Sequence, residues 1–196
     1  MHTPTTTHRT RWLAAASMLV AVPAFAEEAH EAPVRAYVSE NVMGWVKDPA
    51  IIDAIREANA EHESLSQADI DKLDQEWRAQ ATAADKPLID EVLARDISKV
   101  LAGKKDESAG MITEVFVMDN KGLNVGQSDV TSDYWQGDEA KWQKTFLVGP
   151  DALFVDEVEQ DESTQALQSQ ASMTIADPDS GEPIGAITIG INLDQL

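Results

Sequence analysis

The 196-residue sequence contains no cysteine, and its basic residues are far outnumbered by its acidic ones. Without cysteine no disulfide can stabilise the fold, so stability must come from a packed core. Fifteen Lys and Arg against 35 Asp and Glu give a formal net charge of −20. This balance excludes nucleic acid and anionic lipid as partners, because both bind through clusters of Lys and Arg. The charge suits either solubility in a salty compartment or affinity for cations.

The sequence also lacks a membrane-length apolar run. Residues 1–26 combine a basic start, Arg9 and Arg11, with a short apolar run over 13–22 and an Ala-Phe-Ala cleavage motif. These are the features of a secretory signal peptide, and the run is too short for a membrane span. We expect cleavage to leave a free periplasmic chain of net charge −22, since the two arginines leave with the signal.

Three amphipathic helical segments are predicted within residues 27–110: a long bent helix over 34–60, one over 66–81 and one over 87–103. Asp48 and Pro49 provide an N-cap and an N1 proline inside the first segment, so its second half begins there. Ser66 is the predicted N-cap of the second. These helices form the N-terminal part of a single domain.

From residue 111 onward the pattern indicates strands, predicted at 115–119, 123–127, 152–158, 163–176 and 183–193. The first two form a hairpin, because Asn120 and Gly122 in the turn between them can take positive φ. In the last strand isoleucines alternate with Thr188 and Gly190, so one face is core and the other is small and polar. The predicted fold class is therefore α+β, with an antiparallel sheet of five strands over 111–196.

An aromatic and charged loop, residues 131–142, follows the hairpin. It carries Asp133, Tyr134, Trp135, Lys141 and Trp142. Such a loop leaving a sheet is typical of a ligand-binding segment, although tryptophans there could equally fill core. The acids favour a cationic ligand held by cation–π contact and carboxylate pairing, whereas Lys141 favours a small carboxylate. The sequence leaves both chemistries open.

Motifs for catalysis are missing from the sequence. His30 and His62 are the histidines of the predicted mature chain, neither lies beside a plausible nucleophile, and no Gly-rich phosphate loop follows a strand. We expect a protein that is not an enzyme and carries no cofactor. The acidic run 156–162 offers oxygen ligands suited to Ca²⁺ but lacks the spacing of an EF-hand loop, so a solvated strand end is the other interpretation.

Four features of the chain together resemble a known family: the long N-terminal helix, the hairpin V-F-V-M-D-x-x-G, the aromatic loop and the terminal I-G-A-I-T-I-G-I-N-L-D-Q-L. They are similar to the Cache (PDC-type) extracellular sensor domains of bacterial histidine kinases and chemoreceptors. The resemblance covers residues 34–196. It implies a PAS-like five-stranded antiparallel sheet with the long helix packed on one face. A small-molecule pocket is implied on the other face, closed by the loop after the hairpin.

The resemblance also implies roles for individual residues. Tyr134 and Trp135 fall where amino-acid-binding members carry an Arg-x-Trp-Tyr motif, and Asp161 falls where they carry an aspartate that holds the ligand amine. This chain departs from the motif, since the arginine is missing, Glu159 stands for a tyrosine and Gly190 for a second aspartate. The residues predicted to bind ligand are Asp133, Tyr134, Trp135, Lys141, Trp142, Asp161 and Thr188.

The expected function is that of a periplasmic sensor module that binds a small molecule and acts through a membrane-bound sensor kinase or chemoreceptor. One alternative is the same fold without a ligand, pairing through its N-terminal helix as a homodimer or with a kinase ectodomain. Another is a Ca²⁺-binding acidic periplasmic protein. The sensor hypothesis predicts that the sheet face bearing Thr188, Gly190 and Asn192 opens on a cavity. The ligand-free hypothesis predicts that Trp135 and Trp142 fill that space.

Overall fold

A computed structural model describes residues 28–160 and 165–196, so the predicted signal peptide and Asp161 lie outside the described residues. The α-helices of these ranges are α1 Glu31–Tyr37, α2 Pro49–Glu61, α3 Gln67–Ala81, α4 Pro87–Ala94, α5 Asp96–Glu107 and α6 Ala140–Gln143. The strands are β1 Ile112–Met118, β2 Asn124–Gln127, β3 Leu153–Gln160, β4 Leu167–Ala176 and β5 Pro183–Asn192. None of these helices is long and apolar enough to cross a membrane.

The five strands form one antiparallel sheet in the order β2-β1-β5-β4-β3, which confirms the predicted fold class. The first strand of the hairpin and the last strand of the chain therefore pair at its centre, with Val117 opposite Ile187 and Glu114 opposite Gly190. Because side chains alternate along a strand, this pairing gives the sheet two faces of different character.

One face of the sheet is apolar and lies under the helices. Ile187, Ile189 and Ile191 of β5 point to this side and are fully buried. They pack in one cluster with residues of the N-terminal helices, including Val34 and Ile55. At about 25 cal/mol per Å² of apolar surface, this cluster supplies most of the driving force for folding.

The helix predicted over 34–60 is interrupted before Pro49, the position at which the sequence predicted a bend. α1 passes into a π-helical turn, Val38–Val42, and then into a short 3₁₀ turn before the chain becomes extended at Asp48, where ψ is 121°. The residue before a proline disfavours the helical conformation, which explains the break before Pro49. The Asp48 carboxylate accepts a hydrogen bond from the amide of Ala50 at 3.0 Å, as an N-cap should.

The prediction of a single third helix ending at Gly103 is wrong in two respects. Arg95 adopts an extended conformation with ψ of 146° and divides the segment into α4 and α5. There the carbonyl of Val92 accepts both the backbone amide of Arg95 at 3.3 Å and the Ser98 hydroxyl at 2.6 Å. α5 continues through Gly103 to Glu107, and the chain leaves the helix through Ala109 and Gly110, whose φ values of 53° and 93° are positive, as is common after a helix C-terminus.

Two glycines test this description of the fold in opposite directions. Gly103 lies inside α5 with open space where a Cβ would be, so Gly103→Ala should stabilise the protein by about 0.5–1 kcal/mol. Gly185 lies on β5 with the Met118 carbonyl oxygen and the Ile55 side chain in that space. Gly185→Ala should therefore destabilise by about 2 kcal/mol. Urea unfolding measures both, and equal effects of the two changes would contradict the placement of these glycines.

Candidate functional site

The second face of the sheet is polar and only partly covered. Below a segment of residues 129–141 it leaves a cavity of about 380 Å³. The side chains around this cavity include Thr113, Glu114, Phe116, Asp129, Gln136, Glu139, Lys141, Glu159, Gln168 and Gln170. The cavity is thus built from carboxylates, carboxamides and hydroxyls, with one aromatic ring and one ammonium group.

Trp142 closes one end of this face. Its ring stacks on Phe146 with centroids 4.9 Å apart, and the pair packs over Phe116 and Met118. The Trp142 indole N–H donates to the carbonyl of Asp119 at 3.2 Å. Trp142 therefore covers part of the polar face of the sheet and does not line the cavity.

Thr188, the predicted binding residue on β5, lies in the floor beneath this cover. It is fully buried, and its hydroxyl shares a 2.9 Å hydrogen bond with Ser172 on the neighbouring strand. The pair satisfies two polar groups that would otherwise be costly to bury. Thr188 is absent from the cavity lining, because the floor there is formed by residues farther along β1 and β4.

Glu114 forms the floor of the cavity opposite Gly190. The space that a side chain at Gly190 would need is occupied by Glu114, Thr113 and Gln168. One oxygen of Glu114, Oε1, accepts hydrogen bonds from Gln170 Nε2 at 2.8 Å and from Gln168 Nε2 at 3.2 Å. Strand β1 therefore places a carboxylate beside Gly190, the position where this chain departs from the family pattern.

Lys141 of the cavity lining and Lys105, the partner of the lining residue Asp129, are both paired with acids. The Lys141 ammonium lies 2.8 Å from Glu139 and 5.5 Å from the centroid of the Phe116 ring. Lys105 lies 2.6 Å from Asp129. Their charge is therefore compensated by protein carboxylates, and the balance of the lining is negative.

Gln136 is the one lining residue with an unsatisfied polar atom among those that the structure describes. The residue is 1% exposed, and its side-chain N–H donates to the carbonyl of Asp133 at 2.9 Å. Its Oε1 has no hydrogen-bond partner within the described chain. A buried acceptor without a donor costs about 1–3 kcal/mol, and because this oxygen is itself inaccessible it lies behind the surface of the cavity.

Helix α3 holds the segment that forms the cavity wall. The buried carboxylate of Asp74 accepts the backbone amides of Tyr134 at 3.0 Å and Trp135 at 3.1 Å through one oxygen, and Arg78 at 2.8 Å through the other. Arg78 also pairs with Asp133 at 2.9 Å. The predicted site residue Asp133 is thus a structural partner of α3, and its side chain serves to fix the wall.

Tyr134 and Trp135 lie on the helix side of this wall. Tyr134 is buried and stacks on Trp77 of α3 with centroids 5.2 Å apart. Burial raises the pKa of its hydroxyl, and Arg95 opposes this shift. The Trp135 ring packs against Gly137 and donates to the carbonyl of Lys121 at 2.8 Å. Both aromatics anchor the segment and lie outside the cavity lining.

Of the residues predicted from the sequence to bind ligand, Lys141 lies in the cavity lining. The lining does not include Asp133, Tyr134, Trp135, Trp142 or Thr188. Asp161 lies outside the described residues. The sequence interpretation missed Glu114 and Gln136. Glu114 had a signal in the alternation of β1, where it shares a face with Phe116, while Gln136 had none, because its burial depends on contacts with distant strands.

The alternative of an acidic metal site finds no centre in the described part of the chain. Within residues 28–160 and 165–196 no three His, Asp or Glu side chains converge in a way that could hold a metal ion. The described acids of the run 156–162 lie along β3, where Glu157 is exposed. Its last two residues lie outside the described ranges.

Comparison with known proteins gives fold-level similarity to sensor domains. No family model and no curated protein matches the chain. The ligand-binding domain of the Campylobacter jejuni chemoreceptor Tlp3, solved with 4-methylisoleucine, is 13% identical with a TM-score of 0.40, covering 82% of this chain and 60% of its own. The Escherichia coli DcuS sensor domain is 19% identical with a TM-score of 0.36, covering 64% and 92%.

The sensor domain of the Vibrio cholerae histidine kinase DctB is 12% identical with a TM-score of 0.37, covering 86% of this chain and 58% of its own. The chain thus spans about 60% of the Tlp3 and DctB structures. The Tlp3 domain belongs to a chemoreceptor and the DctB domain to a histidine kinase, and the DcuS structure is a sensor domain.

Removal of the Asp74 carboxylate should loosen the cavity wall. Asp74→Ala leaves two buried backbone amides and Arg78 without their acceptor, so we expect a loss of about 3 kcal/mol in the free energy of unfolding. The exposed Asp71, one turn earlier on the same helix, is the matched control, and Asp71→Ala should change it by less than about 0.5 kcal/mol. Urea unfolding compares the two, and similar losses would show that α3 does not anchor the segment.

Proposed function

We propose that the chain is a ligand-binding sensor module whose small-molecule site is the cavity between the polar face of the sheet and residues 129–141. The lining of the cavity carries this proposal, because carboxylates, carboxamides and hydroxyls from strands β1, β3 and β4 and from the covering segment converge on one space. The volume of about 380 Å³ falls in the range of ordinary ligand sites.

The wall of the cavity offers a route by which binding could be sensed. Ligand contact at Gln136 would act on the segment that Thr131, Asp133 and Tyr134 attach to α3. Trp77 donates to the Thr131 carbonyl at 2.8 Å, and Arg78 pairs with Asp133 at 2.9 Å. A ligand that orders this segment would thereby bias the position of the helical layer. We propose that a membrane-bound kinase or chemoreceptor reads that change in the periplasm.

The ligand-free interaction alternative has less support from the N-terminal helix. Its apolar side chains Val34, Val38 and Val42 are fully buried against the protein's own sheet. They are therefore occupied within the domain and cannot also form a dimer interface. A binding role also fits the lining better than a catalytic one, because its carboxamides are neutral groups suited to hydrogen bonding.

A thermal-shift screen with a blocked cavity tests the proposal. The purified protein is screened against amines, amino acids, carboxylates, purines and divalent cations, and a binding ligand should raise the melting temperature. Val130 lines the cavity mouth and is 45% exposed, so Val130→Trp should fill the mouth without disturbing the core and abolish that rise.

Val148→Trp is the matched control, since Val148 is 69% exposed and does not line this cavity. The control should keep the full rise in melting temperature. An unchanged rise in Val130→Trp would place the ligand elsewhere. A flat screen at millimolar concentrations of every class would remove the small-molecule proposal.

A further inference from the structure

We infer that two copies of this chain associate by exchanging an apolar loop tip, Leu147 and Val148, into a groove of about 880 Å³ between the helical layer and the edge strand β3. This inference goes beyond the proposed function, because the groove shares no lining residue with the cavity on the polar face of the sheet. The groove and the tip together would form the interface of a two-fold dimer.

The groove lies where the helical layer meets the edge of the sheet. The chain between α1 and α2 contributes Met43 and Val46 to its lining, and the strands β3 and β4 contribute Leu153 and Met173. Val46, Leu153 and Met173 also pack in the main apolar cluster of the protein. The groove is thus an accessible margin of the hydrophobic core, and covering apolar surface of this kind with a matching apolar surface is favourable.

The loop before β3 presents two apolar side chains to solvent. Leu147 is 62% exposed and Val148 is 69% exposed, the highest values among the large apolar residues that the structure describes. The carbonyl of the buried Thr145 accepts the backbone amides of Val148 at 2.9 Å and Gly149 at 3.2 Å, and the Thr145 hydroxyl donates to the carbonyl of Lys141 at 2.6 Å. The tip is therefore held in place by its own hydrogen bonds, which lowers the entropy cost of binding.

The tip and the groove are neighbours on the surface. Val148 lies two residues before the lining residue Pro150, so their Cα atoms are at most about 7 Å apart. Leu147 and Val148 are nevertheless absent from the groove lining and remain exposed, so the tip does not cover the groove of its own chain. A two-fold axis would cover both surfaces at once, because each tip would then meet the groove of the other copy.

The formal charge of the groove permits contact between two copies of an acidic chain. Within the lining, Lys47 and Asp151 balance each other, and Asp177 is paired with Arg56 at 2.8 Å. The groove is thus close to neutral on a chain of net charge −20. A basic partner would find no excess of carboxylates here, whereas two identical chains would meet without an excess of like charge at the contact. The charge therefore favours a second copy over a cationic partner.

The oligomeric state tests the inference. Sedimentation equilibrium of the purified protein from micromolar to millimolar concentration should show a reversible equilibrium between monomer and dimer. Because the contact is apolar while the rest of each chain is acidic, added NaCl should strengthen the dimer by screening the net repulsion. A protein that stays monomeric over the whole range, or a dimer that weakens with salt as ion pairs do, would overturn the inference.

Substitutions to glutamate locate the interface. Leu147→Glu in the tip and Met43→Glu at the groove, where Met43 is 41% exposed, should each weaken dimerisation by at least about tenfold, since a carboxylate would be buried against apolar surface. Leu196→Glu is the matched control, because Leu196 is 42% exposed and follows the end of β5 that is remote from the groove. The control should keep the dimer affinity within about twofold of the parent.

Equal weakening by all three glutamates would show general charge repulsion and would contradict the assigned surface. Thermal unfolding of each variant confirms that it is folded, which both exposed positions should allow.

A mixture of the two interface variants tests the exchange itself. In a mixed dimer the intact tip of the Met43→Glu chain meets the intact groove of the Leu147→Glu chain, so one of the two contacts is restored. Sedimentation velocity with one fluorescently labelled chain should therefore show tighter association in the mixture than in either variant alone. No recovery in the mixture would show that like surfaces meet across the axis, against the exchange.

These outcomes are independent of the ligand proposal. A monomeric protein would leave the cavity on the polar face unaffected, and a flat thermal-shift screen would leave the dimer unaffected. The rise in melting temperature of Val148→Trp compares the same variant with and without ligand, so a change in its dimerisation leaves that control valid.

Discussion

The antiparallel pairing of β1 with β5 at the centre of the sheet is the constraint on which the rest of the structure depends. It joins the two strands whose side chains alternate most clearly, and their register sends Val117 and Ile187 to one side and Phe116 and Thr188 to the other. The apolar side binds the helices, and the polar side is left for the cavity. A shift of one residue would exchange the two faces, so core packing and cavity chemistry are specified together.

The cavity wall depends on interactions made far from the cavity itself. Asp74 of α3 accepts a hydrogen bond from a backbone amide of the segment that forms the wall, and Trp77 of the same helix donates to one of its carbonyls. Tyr134 of the segment stacks on Trp77. The aromatic residues that look like ligand contacts in the sequence are thus the anchors of the wall. Polar side chains between and beneath them are left to face the cavity. This division explains why a segment with so many aromatics encloses a polar space.

The negative charge of the chain has two separable parts. Much of it lies on exposed helix and strand positions, as expected for a solvated surface. A smaller part is organised, since Glu114 and Glu159 are oriented by the same glutamine while Asp129 and Glu139 are paired with lysines. Charges at exposed positions are screened by salt over about 10 Å, so their number alone says little about ligand chemistry.

Much of the fold was predictable from local patterns. Capping residues such as Asp48 and Ser66, the hairpin turn and the alternation of β5 indicated helices followed by a five-stranded antiparallel sheet, and each depends on contacts within a few residues. The division at Arg95 was not predictable, since the extended residue is held by a distant carbonyl of β2, that of Val125, at 3.1 Å. Local propensity contains no information about such a partner.

The sequence by itself determined the fold class, the two-faced character of the central strands and the acidic surface, because these follow from residue type and spacing along the chain. Only the tertiary structure decided which residues face the cavity. Trp135 and Tyr134 went to the helix side because Asp74 holds their amides there, and Glu114 and Gln136 came to the cavity through register and loop position. Those placements involve contacts between residues 56 to 61 positions apart, which spacing along the sequence does not encode.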